Sequence, residues 1–257
     1  DNIFIGKYAA SDSAGGTGKY NIFFGNNSGQ KWTSGCHNIG QGYETLRHLE
    51  TASNNIALGQ QALEGHSTGM ITGSGNIAIG KEAMRCLCTT GTGNIGIGEQ
   101  AAKCLTTGAT NIAIGDDAGF NITSPDHNIL VGTNAGYCLG TGHSNVAIGR
   151  HAARRATTGH SNIFFGNYAG CGASSSGGTG HNNIFMGSTG EKWTSACYGI
   201  VMGHCSAACL TSGNYNILLG ACAGNKMTDA HTNVAIGQEA GCAIGTGDCN
   251  VFIGKCA

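Results

Sequence analysis

A five-residue motif recurs along the whole chain and constrains the fold more than any other feature. The motif is Asn, an apolar residue, a variable residue, a second apolar residue and Gly. Self-similarity at a short fixed period is typical of solenoids, in which each repeat packs only on its neighbours. We therefore predict that residues 1–257 form a single repeat array with no internal domain boundary. Fifteen copies, most of them 17 residues apart, close at Gly6, Gly25, Gly42, Gly59, Gly80, Gly98, Gly115, Gly132, Gly149, Gly166, Gly187, Gly203, Gly220, Gly237 and Gly254.

The repeat unit predicts one short strand per copy. In the segment 111–114, β-branched residues alternate with other residues, a pattern that favours a strand, and the Gly that follows supplies a turn. Seventeen residues are too few for a helix pair, and the Gly and Asn content opposes helices. We expect a second, weaker strand at Leu105. Each repeat then forms one coil, and the chain forms an all-β parallel β-solenoid of about 15 coils stacked about 4.8 Å apart.

Composition excludes several other classes of protein. The 46 glycines come with a single proline, whereas collagen needs abundant proline. A net charge of −1 and 11% charged residues give no basis for binding nucleic acid. No apolar run reaches the roughly 20 residues of a membrane helix, so no membrane insertion is expected. The chain lacks Met at its start and has no signal-peptide pattern, so we expect a fragment or a processed product.

Two positions of the repeat predict the interior of each coil. A small residue stands three places after the closing Gly, for example Ala62, Ala101 and Ala118, which indicates a narrow interior. The opening Asn is present in fourteen of fifteen copies and is replaced once, by Gly199. That replacement favours a backbone with positive φ at this position. A stacked ladder of Asn side chains is the alternative.

The variable residue between the two apolar residues predicts self-association. We expect this residue to point outward, and it is often Ala, as at Ala57, or Phe, as at Phe23 and Phe164. A strand that is apolar on both faces is buried on both faces. A single thin solenoid covers only one face. The second surface is then most simply provided by other chains of a homo-oligomer, with a fibrous homotrimer as the expected assembly.

Residues at the same repeat position in successive copies form a file along the stack. The file that lies six places before the closing Gly is a candidate metal site. It contains Asp126, His143, His160, His181 and Cys197 in consecutive copies, with His231 and Asp248 further along. Stacking places these side chains about 5 Å apart, within reach of a transition metal or zinc. The alternative is a solvated edge whose polar residues vary freely, since the same file holds Lys19, Ser53, Ser74, Thr92 and Ala109. No other cofactor is expected.

Long repeats and tryptophan mark a second candidate site. Extra residues extend three copies, at 11–18, 67–75 and 172–180. The two tryptophans, Trp32 and Trp193, lie in matching Lys-Trp-Thr-Ser segments, because the first copies of the repeat resemble later ones. If exposed, each ring is a candidate contact for a glycan. The alternative is that each Trp packs at an irregular corner beside neighbouring Phe residues.

The thirteen cysteines do not match the framework of a small secreted protein, because their number is odd and their spacing irregular. Two pairs share a file in neighbouring coils and are candidate disulfides, Cys86 with Cys104 and Cys205 with Cys222. The alternative is that most cysteines are small packing residues. Enzyme motifs fail: the segment 91–96 satisfies a dinucleotide Gly pattern without a βαβ unit around it. We therefore expect no catalytic activity.

The repeat resembles the 17-residue repeats of phage tail-fibre and related bacterial surface proteins over essentially the whole chain. The matching residues are the segments 94–98 and 106–108 and the intervening Ala101. The Cys-bearing segment 220–224 is similar to long fibre proteins of marine cyanobacterial phages, and the strand more distantly resembles the β-roll heads of trimeric autotransporter adhesins. The resemblance implies a trimeric fibre at the virion surface or outside the cell, with a host cell-surface glycan or receptor as its partner.

Together these patterns predict a structural, adhesive fibre segment. One alternative is a self-assembling extracellular filament. A further alternative is an ice-binding solenoid, because Thr106–Thr107 and Thr157–Thr158 form partial Thr columns. Adjacent residues of a strand point to opposite faces, so such pairs fit a flat ice-binding face poorly.

Overall fold

The structure is a computed structural model that describes residues 1–13, 15–65, 70–86, 90–172 and 177–257. Over these residues the chain is an all-β parallel β-solenoid of about 14 turns with 17-residue spacing, and it contains no helix. The predicted fold class is confirmed. The chain divides into two compact units, unit 1 (Asp1–His127) and unit 2 (Asn128–Ala257). Both units carry the same repeat, and the single array over 1–257 stays a prediction.

Unit 1 contains seven described strands of three residues each. Neighbouring strands pair in parallel, residue for residue, because each coil begins its strand at the same place in the repeat. The insertions of the long copies therefore leave the strand register unchanged. The strands are β1 Ile3–Ile5, β2 Ile22–Phe24, β3 Ile39–Gln41, β4 Ile56–Leu58, β5 Ile77–Ile79, β6 Ile95–Ile97 and β7 Ile112–Ile114.

Unit 2 follows the same rules with eight described strands. They too pair in parallel and in register with their neighbours in the unit. The strands are β8 Ile129–Val131, β9 Val146–Ile148, β10 Ile163–Phe165, β11 Ile184–Met186, β12 Ile200–Met202, β13 Ile217–Leu219, β14 Val234–Ile236 and β15 Val251–Ile253.

The glycine after each strand allows the backbones of successive coils to approach closely. Gly98 has a φ of +131°, a conformation that side chains rarely adopt. A Cβ atom on Gly98 would lie 2.6 Å from both the carbonyl carbon and the oxygen of Gly115 in the next coil. A larger residue would push the coils apart, which explains why every copy of the motif closes with Gly.

The middle residue of the strand points inward, so the outward orientation predicted from the sequence is wrong. Ala57, Phe23 and Phe164 are fully buried. The flanking residues Ile112 and Ile114 instead lie on the outer surface, half-buried and exposed respectively. The reason is width: the interior of the coil has room for one central side chain, and the bulky pair on either side faces away from it.

The opening Asn residues form a buried ladder, so the positive-φ explanation is wrong and the alternative is confirmed. Asn111 donates from its Nδ2 and from its backbone nitrogen to Oδ1 of Asn94, at 3.1 and 2.9 Å. Its Nδ2 also donates to the carbonyl oxygen of Pro125, at 2.7 Å. The positive φ belongs to the preceding residue, Thr110, at 56°. At the one replacement, the backbone nitrogen of Gly199 still donates to the preceding Asn side chain, at 2.9 Å.

The rest of the coil is held by turns rather than by the predicted second strand. Leu105 is fully buried but belongs to no strand in the described chain. Backbone hydrogen bonds still link successive coils there, as from the nitrogen of Thr106 to the carbonyl oxygen of Thr123, at 2.7 Å. The predicted narrow interior is confirmed, since Ala101 and Ala118 are completely buried.

Candidate functional site

Each unit carries an outward strip of apolar side chains along its strands. We define the outward strip as the first and third residues of the strands. Among these positions in the described strands, Gln41 is the only polar residue. In β10, Ile163 and Phe165 are 42% and 52% exposed. A contiguous exposed apolar surface marks an interaction site, whereas scattered apolar residues do not.

The three histidines of the candidate metal file form a stack in unit 2. The ring centroids of His143 and His160 are 4.9 Å apart, and those of His160 and His181 are 4.8 Å apart, with nearly parallel planes. Cys197 continues the file, with its Sγ 3.2 Å from Nδ1 of His181. The predicted spacing of about 5 Å is confirmed. Burial, followed by the neighbouring His181 and His143, lowers the pKa of His160.

Elsewhere in this file the side chain accepts a hydrogen bond from a backbone nitrogen of the preceding coil. Nδ1 of His231 accepts from the nitrogen of Asn214, at 3.1 Å, and Oδ1 of Asp248 accepts from the nitrogen of His231, at 2.7 Å. In unit 1, Oδ1 of Asp126 accepts from Ala109, at 2.7 Å. Ser, Asn, Asp, Cys and His all supply an acceptor near the backbone, so at these positions of the file the side chain has a structural role. The same bond is made by the side chains of Cys36, Ser53, Ser74, Cys197 and Asn214.

The stacked rings do not converge on a common point. Zinc binds imidazole nitrogen at about 2.0–2.1 Å, so two such ligands lie at most about 4.2 Å apart. Parallel rings 4.8 Å apart, as in His160 and His181, hold their equivalent nitrogens further apart than that. Among the described residues, no group of three or more His, Cys, Asp or Glu side chains is placed to hold a metal ion. A metal at His143, His160, His181, Asp126 and Cys197 therefore stays a prediction that requires rotated side chains.

Both tryptophans are buried, so the exposure assumed for a glycan contact is wrong. Trp32 is 3% exposed and Trp193 is completely buried. Each indole nitrogen donates to the backbone carbonyl three residues later, at 2.7 Å for Trp32 and 3.0 Å for Trp193. The ring of Trp193 packs edge-on against Phe164 and Phe185, with centroids 5.6 Å away in both cases. This arrangement agrees with the alternative of a packing role.

Each Trp also supports one of the long repeats. A Cβ atom on Gly16 would lie 2.5 Å from the ring of Trp32, and one on Gly180 would lie 2.9 Å from the ring of Trp193. Glycine in these extended segments therefore allows the chain to lie flat on the indole. Residue 14 of the first insertion, residues 67–69 of the second and 173–176 of the third lie outside the described residues.

The two candidate disulfide pairs differ in the contacts that the structure gives them. A hydrogen bond with the Cys86 side chain, together with burial, raises the pKa of the Cys104 thiol. Cys205 and Cys222 are both free thiols, and burial, Glu191 and Cys222 raise the pKa of Cys205. The structure thus brings Cys86 and Cys104 into contact across successive coils, and disulfide formation at either pair stays a prediction.

A charged corner of unit 1 was not found in the sequence analysis. Five places after the closing Gly, Arg47, Glu64, Arg85 and Lys103 follow one another in successive coils. Nε of Arg85 lies 2.8 Å from Oε2 of Glu64, and Nη1 of Arg47 lies 3.8 Å from Oε1 of the same carboxylate. Lys103 is the main cause of the lowered pKa of Glu82. The run of four charged residues at one repeat position is a signal that could have identified this corner.

Comparison with protein families, with curated proteins and with solved structures found no match to this chain. Within the described residues, no helix is long and apolar enough to cross a membrane.

Proposed function

We propose that this chain is a structural, adhesive segment of an extracellular or virion fibre, in which the solenoid serves as a rigid shaft built from three copies. The observation that carries the proposal is the outward strip, an apolar surface that follows the strands throughout both units. Water contact with such a surface is unfavourable, and burial against partner chains removes that cost.

The hydrogen bonds of the solenoid support a mechanical role. Successive coils are linked by strand pairing, by turn backbone bonds and by the buried Asn ladder. These bonds run along the stack, in the direction in which a shaft carries tension. Buried amide hydrogen bonds shielded from water are costly to break, and each contributes about 1 kcal/mol or more to stability.

A second copy of this chain is the partner that best fits the outward strip. The strip repeats at the coil spacing, about 4.8 Å, and its first and third positions hold Ile, Val, Leu, Phe or Met almost throughout. A partner with the same repeat stays in register along the whole strip, whereas an irregular surface does not. Three copies arranged around one axis would each bury this single face.

Light scattering of the purified chain tests the assembly. We expect the wild-type chain to be a trimer and the double variant Ile163→Glu/Phe165→Glu to be a monomer with an unchanged circular dichroism spectrum. Thr158→Glu, at an exposed position away from the strands, is the matched control and should remain a trimer. A monodisperse wild-type monomer, or a double variant that still forms trimers, contradicts the proposal.

Electron microscopy and binding to cells separate the fibre from its rivals. Particles of finite length that bind host cells support the fibre, and filaments of indefinite length support the extracellular-filament alternative. The ice-binding alternative is less well supported, because the hydroxyl group of Thr106 donates to the carbonyl oxygen of Thr123 in the next coil, at 3.0 Å. Thermal hysteresis of the purified chain would favour that alternative over the fibre.

A further inference from the structure

A cavity beside the charged corner of unit 1 concentrates basic side chains. It has a volume of about 480 Å³ and is bordered by Lys31, Arg47, His48, Glu64, Gly65, Arg85 and Cys86. Three of the thirteen Lys and Arg residues of the chain border this one cavity. Glu64 borders the cavity with them, and Glu44 and Glu82 each pair with one of the arginines, so among the described residues Lys31 is the one of the three basic groups without an ion pair.

The hydrogen bonds of the two arginines leave donors available. Arg85 uses Nε for Glu64, at 2.8 Å, and Nη1 for Glu82, at 3.4 Å. Arg47 uses Nε for Gln30, at 3.0 Å, and Nη1 for Glu44, at 2.9 Å. Within the described residues, the structure gives no partner to Nη2 of either arginine or to Nζ of Lys31. Three nitrogen donors therefore remain at the border of one cavity.

The ion pairs hold these donors in place. Glu64 is only 7% exposed and pairs with both arginines, which restricts the movement of their long side chains. His48, 5% exposed, is fixed by a contact of 3.2 Å between its Nδ1 and the backbone oxygen of Glu64. A guanidinium held in place offers directed donors to an oxyanion at a small entropic cost.

We propose that this cavity binds an oxyanion, namely a phosphate, sulfate or carboxylate group, through Lys31, Arg47 and Arg85. Its volume falls in the range of about 300–1,000 Å³ that is typical of ligand sites and exceeds the volume of a free oxyanion. A group of sugar size that bears the oxyanion therefore also fits. Binding requires only unit 1 and does not depend on the proposed assembly into a fibre.

The repeat supplies an internal control for this site. The segment 31–34 recurs as 192–195, and the backbone nitrogens of Lys31 and Lys192 donate to equivalent residues of the next coil, Arg47 and Ala208. The unit 2 position thus has the lysine without the arginine beside it. Lys31→Gln and Lys192→Gln remove the same charge from the two similar places, and neither leaves a buried carboxylate unpaired.

Calorimetry at low ionic strength tests the proposal with inorganic phosphate, glucose 6-phosphate and glucose as probes. We expect one saturable site for each phosphate-bearing probe, none for glucose, and weaker binding as salt is added. Lys31→Gln should weaken binding about tenfold, the effect of losing one charged hydrogen bond, and Lys192→Gln should leave it unchanged. Arg85→Lys, which keeps the charge but loses Nη2, should also weaken binding.

The three probes also distinguish the source of the oxyanion. Equal affinity for phosphate and glucose 6-phosphate supports a site for the free anion, and tighter binding of glucose 6-phosphate supports a site for an anionic sugar. The proposal is overturned if neither phosphate-bearing probe saturates, if glucose binds as well as glucose 6-phosphate, or if the two Lys→Gln variants weaken binding equally.

Discussion

Gly170 lies directly against the aromatic ring of Phe164, so that any side chain at Gly170 would overlap the ring. The same relation holds between Gly190 and Phe185, where a Cβ atom would lie 2.7 Å from the ring. In a neighbouring coil that has Ala147 in the middle of its strand, the equivalent position is an alanine, Ala153. In these coils a bulky residue in the middle of the strand is therefore accompanied by glycine at the second position, and a small one by alanine.

This compensation predicts the effect of Gly170→Ala. The substitution should destabilise unit 2 by about 1–3 kcal/mol, the usual cost of overpacking a core. Thermal unfolding followed by circular dichroism measures the loss. The φ of Ala153 is +51°, close to the +52° of Gly170, so backbone strain alone explains little of the effect.

A second substitution separates overlap from strain. The double variant Phe164→Ala/Gly170→Ala should lose less stability than the sum of the two single variants, because it recreates the natural combination of Ala147 and Ala153. Phe164→Ala alone leaves a cavity and should cost about 3–5 kcal/mol. If the two substitutions are simply additive, overlap with the ring is not the cause of the instability.

The Asn ladder predicts a large effect from a small change. Asn145→Ala removes the acceptor for Asn162 and the donor to Asn128 and to the carbonyl oxygen of Gly159. Each buried polar group left without a partner costs about 1–3 kcal/mol, so the unfolding temperature should fall sharply. Thr133→Ala, at an exposed position, is the control and should change it little. Equal stability of the two variants would contradict a structural role for the ladder.

The histidine stack predicts that acid destabilises unit 2. The pKa of His160 in the folded chain lies below its ordinary value of 6.5, so the unfolded chain binds the proton more readily. Stability should therefore fall as the pH drops through 6.5 towards the lower folded pKa. His160→Gln should reduce this pH dependence, measured by thermal unfolding between about pH 7.5 and about pH 5, an interval that includes the ordinary pKa of histidine. An unchanged dependence would contradict this assignment.

The contact between Cys86 and Cys104 predicts a slow reaction at Cys104. Its raised pKa means that little reactive thiolate is present at neutral pH. Under reducing conditions, iodoacetamide should modify Cys104 more slowly than the exposed Cys249, as measured by peptide mass spectrometry. Cys86→Ala removes the thiol partner and should accelerate the reaction at Cys104. Equal rates at Cys104 and Cys249 in the wild-type chain would count against the contact.

The sequence predicts the repeat, the parallel solenoid and the strand positions, because these follow from periodicity alone. It does not predict which face of the strand is inside. Ala113 and its neighbours Ile112 and Ile114 are all apolar, so hydropathy alone does not distinguish the inner face from the outer one. The replacement by Gly199 favours the positive-φ explanation over the Asn ladder at the level of sequence, because glycine has no side chain to stack. The structure shows that Gly199 nevertheless keeps the backbone donor of the ladder.

The charged corner and the Trp packing could not be inferred from single motifs. The pairing of Arg85 with Glu64 joins residues one long repeat apart, and it requires the register that the insertion leaves intact. Burial of Trp193 likewise depends on glycine residues of the preceding coil, such as Gly180, that lie flat on the ring. Both features depend on the alignment between coils, so they appear when the repeats are compared with one another and not in any one motif.

The Asn ladder has a direction. Where one Asn follows another in successive coils, the later residue donates to Oδ1 of the earlier one, as Asn38 does to Asn21 and Asn233 does to Asn216. The side-chain dipoles therefore add head to tail and polarise one another. One end of any such series presents an unused carbonyl and the other an unused amide group. Like coils can consequently be added at either end only in the same orientation, because an inverted coil would set two identical groups face to face.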